Sequence, residues 1–295
     1  MKRYLKKIAS AEYGVAGINR RNIEFIYPNN PRKEFRIADD KAVFKGVLEQ
    51  EGIPLASTYS IIENLWEVEE KLKELESRDS MVLKPARGSG GKGILILQQN
   101  GKGWLTPDGR HYDREKLRMH IAAILYGAYA HDNSDKVIVE ELLIPHPFLT
   151  AIYGSGVPDV RILYHHYVPV MGMLRMPTRS SRGKANLHQG AIGIGIEMET
   201  GLLGYGMFKG RRTETHPDSG YRFRGLKLPH WDEFIRIGNH TSSMVQLKFL
   251  GIDMILDARH GPMVIEINAR PGLQIQNSNQ QGLLEVMRKL EGESR

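Results

Sequence analysis

Gly251-Ile252-Asp253-Met254-Ile255-Leu256-Asp257-Ala258-Arg259-His260-Gly261-Pro262-Met263-Val264-Ile265-Glu266-Ile267-Asn268 is made of two runs of apolar, branched residues joined by a turn-rich segment. Such runs read as the two strands of an antiparallel hairpin. Strand side chains alternate faces, so Glu266 and Asn268 share one face. Pairing Asp257 near Pro262 to Val264 sets Asp253 opposite the segment from Glu266 to Asn268, and three oxygen donors converge. Two carboxylates and an amide oxygen, with no cysteine in the chain and no histidine pair nearby, suit a hard cation such as Mg²⁺, with Mn²⁺ as the alternative. Mg²⁺ usually also takes substrate phosphates and waters, which points towards a nucleotide. Read alone, the stretch is equally an ordinary hairpin with charged residues on its wet face.

Far upstream, Met81 to Lys84 and Ile94 to Leu97 are strand-like runs flanking Gly88-Ser89-Gly90-Gly91-Lys92-Gly93. The loop formally matches the dinucleotide fingerprint G-x-G-x-x-G, but that motif must open a helix and here a strand follows. No Lys-Ser or Lys-Thr closes it as a Walker A loop would. A protein kinase places its lysine after the loop and needs H-R-D and D-F-G elements, which are absent. What remains is a strand, glycine loop, strand flap. Glycine lets backbone N–H groups approach phosphate oxygens, and Lys84 on the leading strand supplies positive charge. Without a ligand the same pattern is a flexible glycine hairpin.

The bulk numbers are those of a globular protein able to bury a large core in two or three sub-domains: 295 residues, 41% hydrophobic, 25% charged. Zero cysteines exclude disulfides, thiolate metal sites and a cysteine nucleophile. The longest apolar stretch, Ile121 to Ala130, is too short to cross a bilayer, and no apolar region follows the basic start Met1 to Lys7, so a cytoplasmic protein is expected. Forty-one basic against 34 acidic residues give a net charge of +7. That balance favours acidic partners: nucleotides, an anionic membrane touched through the basic N-terminus, or nucleic acid. Nucleic acid ranks last, because the basic residues are dispersed and no recognition motif is present.

Along the chain, residues 1 to 40 read as an arm with at most a short helix near Tyr4 to Ala11. A helix is expected over Lys41 to Gln50, a short strand near Leu55 to Thr58, and a surface helix from Ile61 to Ser77. A buried helix from Lys116 to Ala130 and a strand from Val137 to Ile144 follow. Strands are then expected over Val160 to Tyr167, Val170 to Arg175 and Ala191 to Met198, with a helix from Trp231 to Leu250 before the terminal hairpin.

In order and spacing, Asp40-Lys41, Val82-Leu83-Lys84-Pro85 with its glycine loop, Val137 to Leu143, and Glu266-Ile267-Asn268-Ala269-Arg270-Pro271-Gly272 resemble the ATP-grasp superfamily. Pro158-Asp159-Val160-Arg161 and Ala185 to Gly190 resemble elements of its RimK-like glutamate ligases, and the chain is most similar to the alpha-L-glutamate ligase-related proteins. The resemblance implies an α+β fold in which two α+β sub-domains clasp ATP. The expected order is an arm (1–40), a helical lead-in (41–80), a flap sub-domain (81–144) and a large sub-domain with the metal site (145–295). The RimK-like family places a further domain ahead of the Asp-Lys helix, where this chain offers about 40 residues.

Carried onto this sequence, the family's roles assign Lys41 and Lys84 to ATP phosphates, with Lys45 competing for the first. Gly88, Ser89, Gly90, Gly91 and Gly93 would cap the phosphates, Glu140 with the backbone of Glu141, Leu142 and Leu143 would hold adenine, and Asp159 would stand in for the ribose acid. Asp253, Glu266 and Asn268 would hold Mg²⁺. Arg161, Arg175 and His188 would face the γ-phosphate and the acceptor carboxylate, with Arg179 and Arg182 as competitors. Arg270 replaces a serine of the RimK-like element and is either a phosphate contact or structural.

The implied activity joins a small-molecule or peptide carboxylate to an amine, glutamate being one candidate substrate, with ATP converted to ADP and phosphate through an acyl phosphate. Positioning and charge neutralisation suffice for such phosphoryl transfer. The alternatives are an ATP-grasp phosphotransferase and a non-catalytic nucleotide-binding module. A homo-oligomer is compatible with any of them.

Overall fold

The structure is a computed structural model and describes residues 14–88, 90–101, 103–130, 134–290 and 292. Contacts divide the chain into two units: Met1–Ala38 with Glu51–Pro54 and Ile144–Arg295, and Asp39–Gln50 with Leu55–Leu143. The expected helix at Tyr4 to Ala11 and the loop residue Ser89 lie outside the described residues.

The second of these units carries six strands: β1 (Thr58–Ile62), β2 (Ser80–Pro85), β3 (Leu95–Gln99), β4 (Trp104–Leu105), β5 (His111–Tyr112) and β6 (Val137–Glu140). They form one antiparallel sheet in the order β1-β6-β2-β3-β4-β5. β2 and β3 are the flap hairpin, with Leu83 opposite Leu95 at the mouth of the glycine loop. Helices Val68–Leu75 and Arg114–Leu125 bury Leu72, Leu75, Leu117, Ile121 and Ile124 with Met81, Leu83 and Val139 of the sheet. Their i, i+3, i+4 and i+7 spacing keeps these aliphatics on one helix face.

Two expectations shift here. Ile61 and Ile62 end strand β1 rather than begin a helix, because Asn64 and Glu67 form a capping box that starts the helical segment at Leu65. The helix at Arg114 starts where the Asp113 carboxylate accepts from Lys116 N–H at 2.8 Å, and it ends at Leu125 rather than Ala130.

The other unit carries β7 (Asp159–His165), β8 (Val168–Met176), β9 (Ile192–Ile196), β10 (Leu203–Phe208), β11 (Arg211–Thr213), β12 (Phe249–Asp257) and β13 (Gly261–Asn268). All pair antiparallel, in the order β11-β10-β9-β8-β7-β12-β13. Helix Trp231–Ser243 buries Trp231, Phe234 and Ile237. Helix Gln274–Asn279 lies over β8, β9 and β10. A Cβ added to Gly193 of β9 would come within 2.4 Å of Ser278 Oγ, so only glycine admits this helix so close to the sheet. Among the described residues, no helix is long and apolar enough to cross a membrane.

Residues 18–39 correct the reading of an arm. Ile18–Arg20, Arg21–Ile26 and Tyr27–Asn29 run as consecutive helical segments, and Phe35–Asp39 is a further helix. Phe25 and Ile26 are buried, and Phe25 stacks on Phe249 of β12 at 5.3 Å. Asn30 accepts from Phe249 N–H at 2.9 Å and donates to the Phe249 carbonyl at 2.7 Å and the Ala269 carbonyl at 3.2 Å. The segment is held by contacts more than two hundred residues away in sequence, which local composition does not display. The β10–β11 hairpin is also absent from the sequence reading, since Gly204 and Gly206 interrupt the apolar alternation that marks a strand.

Candidate functional site

The metal-like hairpin forms, with a register that local pairing alone does not predict. Asp257 pairs with Gly261, tighter than the expected partner between Pro262 and Val264, and Met254 pairs with Val264. The register then slips by one, so that Asp253 faces Glu266 and Gly251 faces Asn268. Without this bulge Asp253 would oppose Ile265, and Glu266 would project from the other side of the sheet.

From Asp253 the row of cross-strand partners continues to Arg161, Met173 and Gly195, while Asp159 pairs with Arg175 two residues along the same strands. One face therefore carries two arginines and three carboxyl groups. Arg161 donates to Asp253 through Nε at 2.6 Å and Nη2 at 2.5 Å. Arg175 donates through Nη2 to Asp253 at 2.7 Å and Asp159 at 2.6 Å, and through Nε to Asp159. Asn268 Nδ2 lies 3.2 Å from Asp253 Oδ2 and 3.4 Å from Glu266 Oε1.

The electrostatics follow from burial set against pairing. Burial opposes ionisation of Asp253, but the guanidiniums of Arg161 and Arg175 outweigh it and hold this carboxyl below its ordinary range. Asp159 is pushed up to about 6 by burial and then by the Asp253 charge, against the pull of Arg175. Burial would lower the pKa of Arg175, yet Asp159 and Asp253 raise it, so its charge is firmly held.

No group of three His, Cys, Asp or Glu residues among those described forms a cation cage. A cation here would rest on the Asp253 and Glu266 carboxylates and the Asn268 amide. Asn268 turns its nitrogen to both carboxylates, and rotation about the amide exchanges it for the oxygen. The donor set fits a hard cation that keeps open positions for other oxygen ligands.

In the flap unit a second charged group is built. Glu140 of β6 accepts from Lys84 at 2.5 Å and from Lys45 at 2.9 Å, and all three side chains are buried. Lys45 also donates to the Ala56 carbonyl at 2.6 Å. Burial would raise the Glu140 pKa, but Lys84 and Lys45 outweigh it and lower it. Burial lowers that of Lys45, against the pull of Glu140. Lys41 instead donates to the Gly88 carbonyl of the glycine loop at 2.7 Å, and Asp40 caps its helix through Ala42 N–H at 3.0 Å. Lys45 thus shares the Glu140 carboxylate with Lys84. Phe44, Lys45 and Leu48 are the buried residues of the helix Lys41–Gln50.

The loop glycines Gly90, Gly91 and Gly93 have φ of 64°, 71° and 75°, a region costly for other residues. Glu141 N–H donates to the Ser57 carbonyl at 2.9 Å, while Leu142 and Leu143 follow β6 outside any strand. His188 is exposed, in a short turn where Asn186 Oδ1 accepts its N–H at 2.9 Å. Arg270 lies over the Phe35 ring at 4.3 Å. Arg179 N–H donates to Asp218 at 2.6 Å, and Arg182 sits in a left-handed turn. The structure brings Arg161, Arg175, Asp159, Asp253, Glu266 and Asn268 together on one sheet face.

Two antiparallel α+β units, one with a glycine flap and one with an acidic hairpin, define an ATP-grasp fold. Residues 20–292 match the family model described as sugar-transfer associated ATP-grasp, and the chain belongs to that family. Among solved structures it is similar to biotin carboxylase from Campylobacter jejuni in a β,γ-ATP complex, at 11% identity and a TM-score of 0.54, covering 89% of this chain and 48% of that one. It also matches the ATP-grasp ligase PsnB complexed with a minimal precursor, at 14% identity and a TM-score of 0.46, covering 90% and 63% of the two chains. The VanG D-Ala:D-Ser ligase from Enterococcus faecalis is 15% identical with a TM-score of 0.48, covering 87% and 62%. The chain thus spans less than two thirds of these three proteins. No curated protein matches it in sequence.

Proposed function

We propose that the chain is an ATP- and Mg²⁺-dependent carboxylate-amine ligase, with RimK-like chemistry and glutamate as the first amine to test. The observation that carries this reading is the buried network of Arg161, Arg175, Asp159 and Asp253 beside Glu266 and Asn268. Such a network fixes two guanidinium groups beside carboxylate and amide donors on one sheet face, the first for oxyanions and the second for a hard cation. In this reading the flap unit is the small sub-domain, where Lys84, Lys41 or Lys45 and the loop from Gly88 to Gly93 neutralise and cap phosphates. Glu140 and the backbone from Glu141 to Leu143 take adenine, and Asp159 positions Arg175 rather than serving ribose. Asp253, Glu266 and Asn268 hold Mg²⁺, which when bound supplies charge for the phosphate oxygens.

The reaction needs no protein nucleophile. An oxygen of the acceptor carboxylate attacks the γ-phosphorus, the bond to the β–γ bridging oxygen breaks, and ADP leaves with that electron pair. The amine nitrogen then attacks the acyl carbon, the acyl–oxygen bond breaks, phosphate departs and the nitrogen loses its proton to solvent. Arg161 and Arg175 orient the carboxylate and balance the charge that gathers on the transferring group.

The test is a screen for ADP and phosphate release across carboxylates and amino acids, with Lys84→Ala and Glu266→Ala as site variants. Each should abolish turnover while circular dichroism and melting show a folded chain. Undiminished turnover in either variant would sink the assignment. A phosphorylated product with no amine incorporated would replace the ligase by a phosphotransferase, and nucleotide binding without turnover of any pair would make the chain a binding module.

A further inference from the structure

The β10–β11 end of the seven-stranded sheet carries a cationic group that the ligase reading does not use. Tyr205 of β10 has the guanidinium carbons of both Arg212 and Arg224 at 3.9 Å from its ring centre. Stacking of this kind holds two flexible side chains in place before any ligand arrives. Arg212 Nη1 also donates to Gln280 Oε1 at 3.2 Å, just beyond the helix Gln274–Asn279. Lys209 and Arg211 extend from the exposed hairpin tip, beside a surface depression lined by Phe208, Lys209, Arg211, Thr213 and Pro217. Between residues 209 and 224 there are five basic side chains (Lys209, Arg211, Arg212, Arg222, Arg224) against two acidic ones (Glu214, Asp218), a surplus of three positive charges. Glu214 is engaged by Arg222 at 2.8 Å and Arg224 at 2.6 Å.

Register ties this patch to the arginine network. Arg212 pairs with Met207, Met207 with Gly193, Gly193 with Arg175, and Arg175 with Asp159. Cross-strand partners project from the same face, so Arg212 and Arg175 lie on one face, three strand spacings apart. At roughly 4.8 Å per spacing, about 14 Å separates their backbone positions. The helix Gln274–Asn279 and Leu187 cover Gly193 between them.

We propose that Arg212 and Arg224 on Tyr205, with Lys209 and Arg211, bind an anionic glycan whose acidic groups recur along the chain as carboxylates or phosphates. This rests on the ligase reading and extends it: one acidic group of the glycan reacts at Arg161 and Arg175 while others are held at the β10–β11 end. Forked guanidiniums match both oxyanions. Single-stranded nucleic acid is disfavoured, because binding it draws on aromatic faces for base stacking and the two arginines occupy that of Tyr205. An acidic peptide adding as a strand is disfavoured because the edge strand β11 has only three residues and carries arginines at adjacent positions, features that blunt strand pairing. The family's sugar-transfer association points the same way.

The experiment titrates the full chain, without nucleotide, against end-labelled oligogalacturonate, its fully methyl-esterified form, a phosphorylated mannan oligomer, oligoglutamate and an oligonucleotide. The expected result is salt-sensitive binding of the galacturonate or the phosphorylated oligomer, whichever source supplies the acid, and none of the ester. Arg212→Ala with Arg224→Ala should weaken it about tenfold or more. Lys209→Ala with Arg211→Ala, which changes only exposed tip residues, should weaken it too and guards against a folding artefact. Equal affinity for the ester, affinity unchanged in both double variants, or tighter binding of oligoglutamate or the oligonucleotide would overturn the proposal. Glycan binding without ADP formation from any substrate pair would remove the ligase reading and leave this site standing. ADP formation with small substrates and no glycan binding would do the reverse.

Discussion

Glu140→Gln tests the charged group of the flap unit directly. Lys45 and Lys84 are each 5% exposed and Glu140 7%, so the carboxylate is the near counter-charge for two desolvated ammonium groups. Glutamine keeps the shape and removes the charge. Lys45 retains the Ala56 carbonyl at 2.6 Å, and Lys84 loses its ion pair. Breaking a buried pair by removing one partner costs about 3–5 kcal/mol. With roughly 2–4 °C of melting temperature per kcal/mol for a chain of this size, the loss is about 6–20 °C. Lys45→Met is the control, since it leaves a one-to-one pair of Lys84 with Glu140 and should cost far less. The assay is thermal melting at neutral pH, repeated in acid. The Glu140 pKa is lowered below 4.5 in the fold, so its stabilisation is fully present above 4.5 and is lost as pH falls through the lower folded value. The gap between wild type and Glu140→Gln should therefore close in acid. A drop under about 2 °C for Glu140→Gln, or a larger drop for Lys45→Met, would refute the reasoning that the carboxylate neutralises both lysines.

Three further perturbations follow from other parts of the fold. The buried Tyr164 hydroxyl has no hydrogen-bond partner among the described residues, so Tyr164→Phe should leave stability unchanged or raise it by up to about 1 kcal/mol, read by chemical denaturation. His165, edge-on to Phe25 at 5.8 Å, is lowered to about 4 by burial and then by the His166 charge. Its folded pKa lies below the ordinary 6.5, so stability is full above 6.5 and falls as pH drops through about 4. His165→Gln should flatten the melting temperature across that window, and an unaltered slope would contradict the assignment. Asn30→Ala removes three hydrogen bonds to Phe249 and Ala269, which should cost about 2–3 kcal/mol and speed amide exchange at Phe249 before the rest of β12.

Alternation and turn chemistry made much of this protein legible without coordinates. The apolar runs beginning at Met81, Leu95 and Ile252 lie in strands, and the glycine loop joins two of them. These signals are local: a strand shows its period within six residues, and a glycine shows its freedom in one. The segment from Ile18 to Asp39 was illegible for the opposite reason, since its partners Phe249 and Ala269 stand at the other end of the chain.

By itself the sequence determined the strand-loop-strand flap, the acidic hairpin, their order and so the ATP-grasp resemblance, because periodicity and spacing are properties of neighbouring residues. Tertiary structure decided which charges meet. A single bulge in β13 turns Glu266 to the face of Asp253, burial of one helix face selects Lys45 as the partner of Glu140, and the register of β7 with β8 joins Asp159 to Arg175. Each of these depends on which face is buried and which strand is adjacent, and both are settled only when distant segments pack.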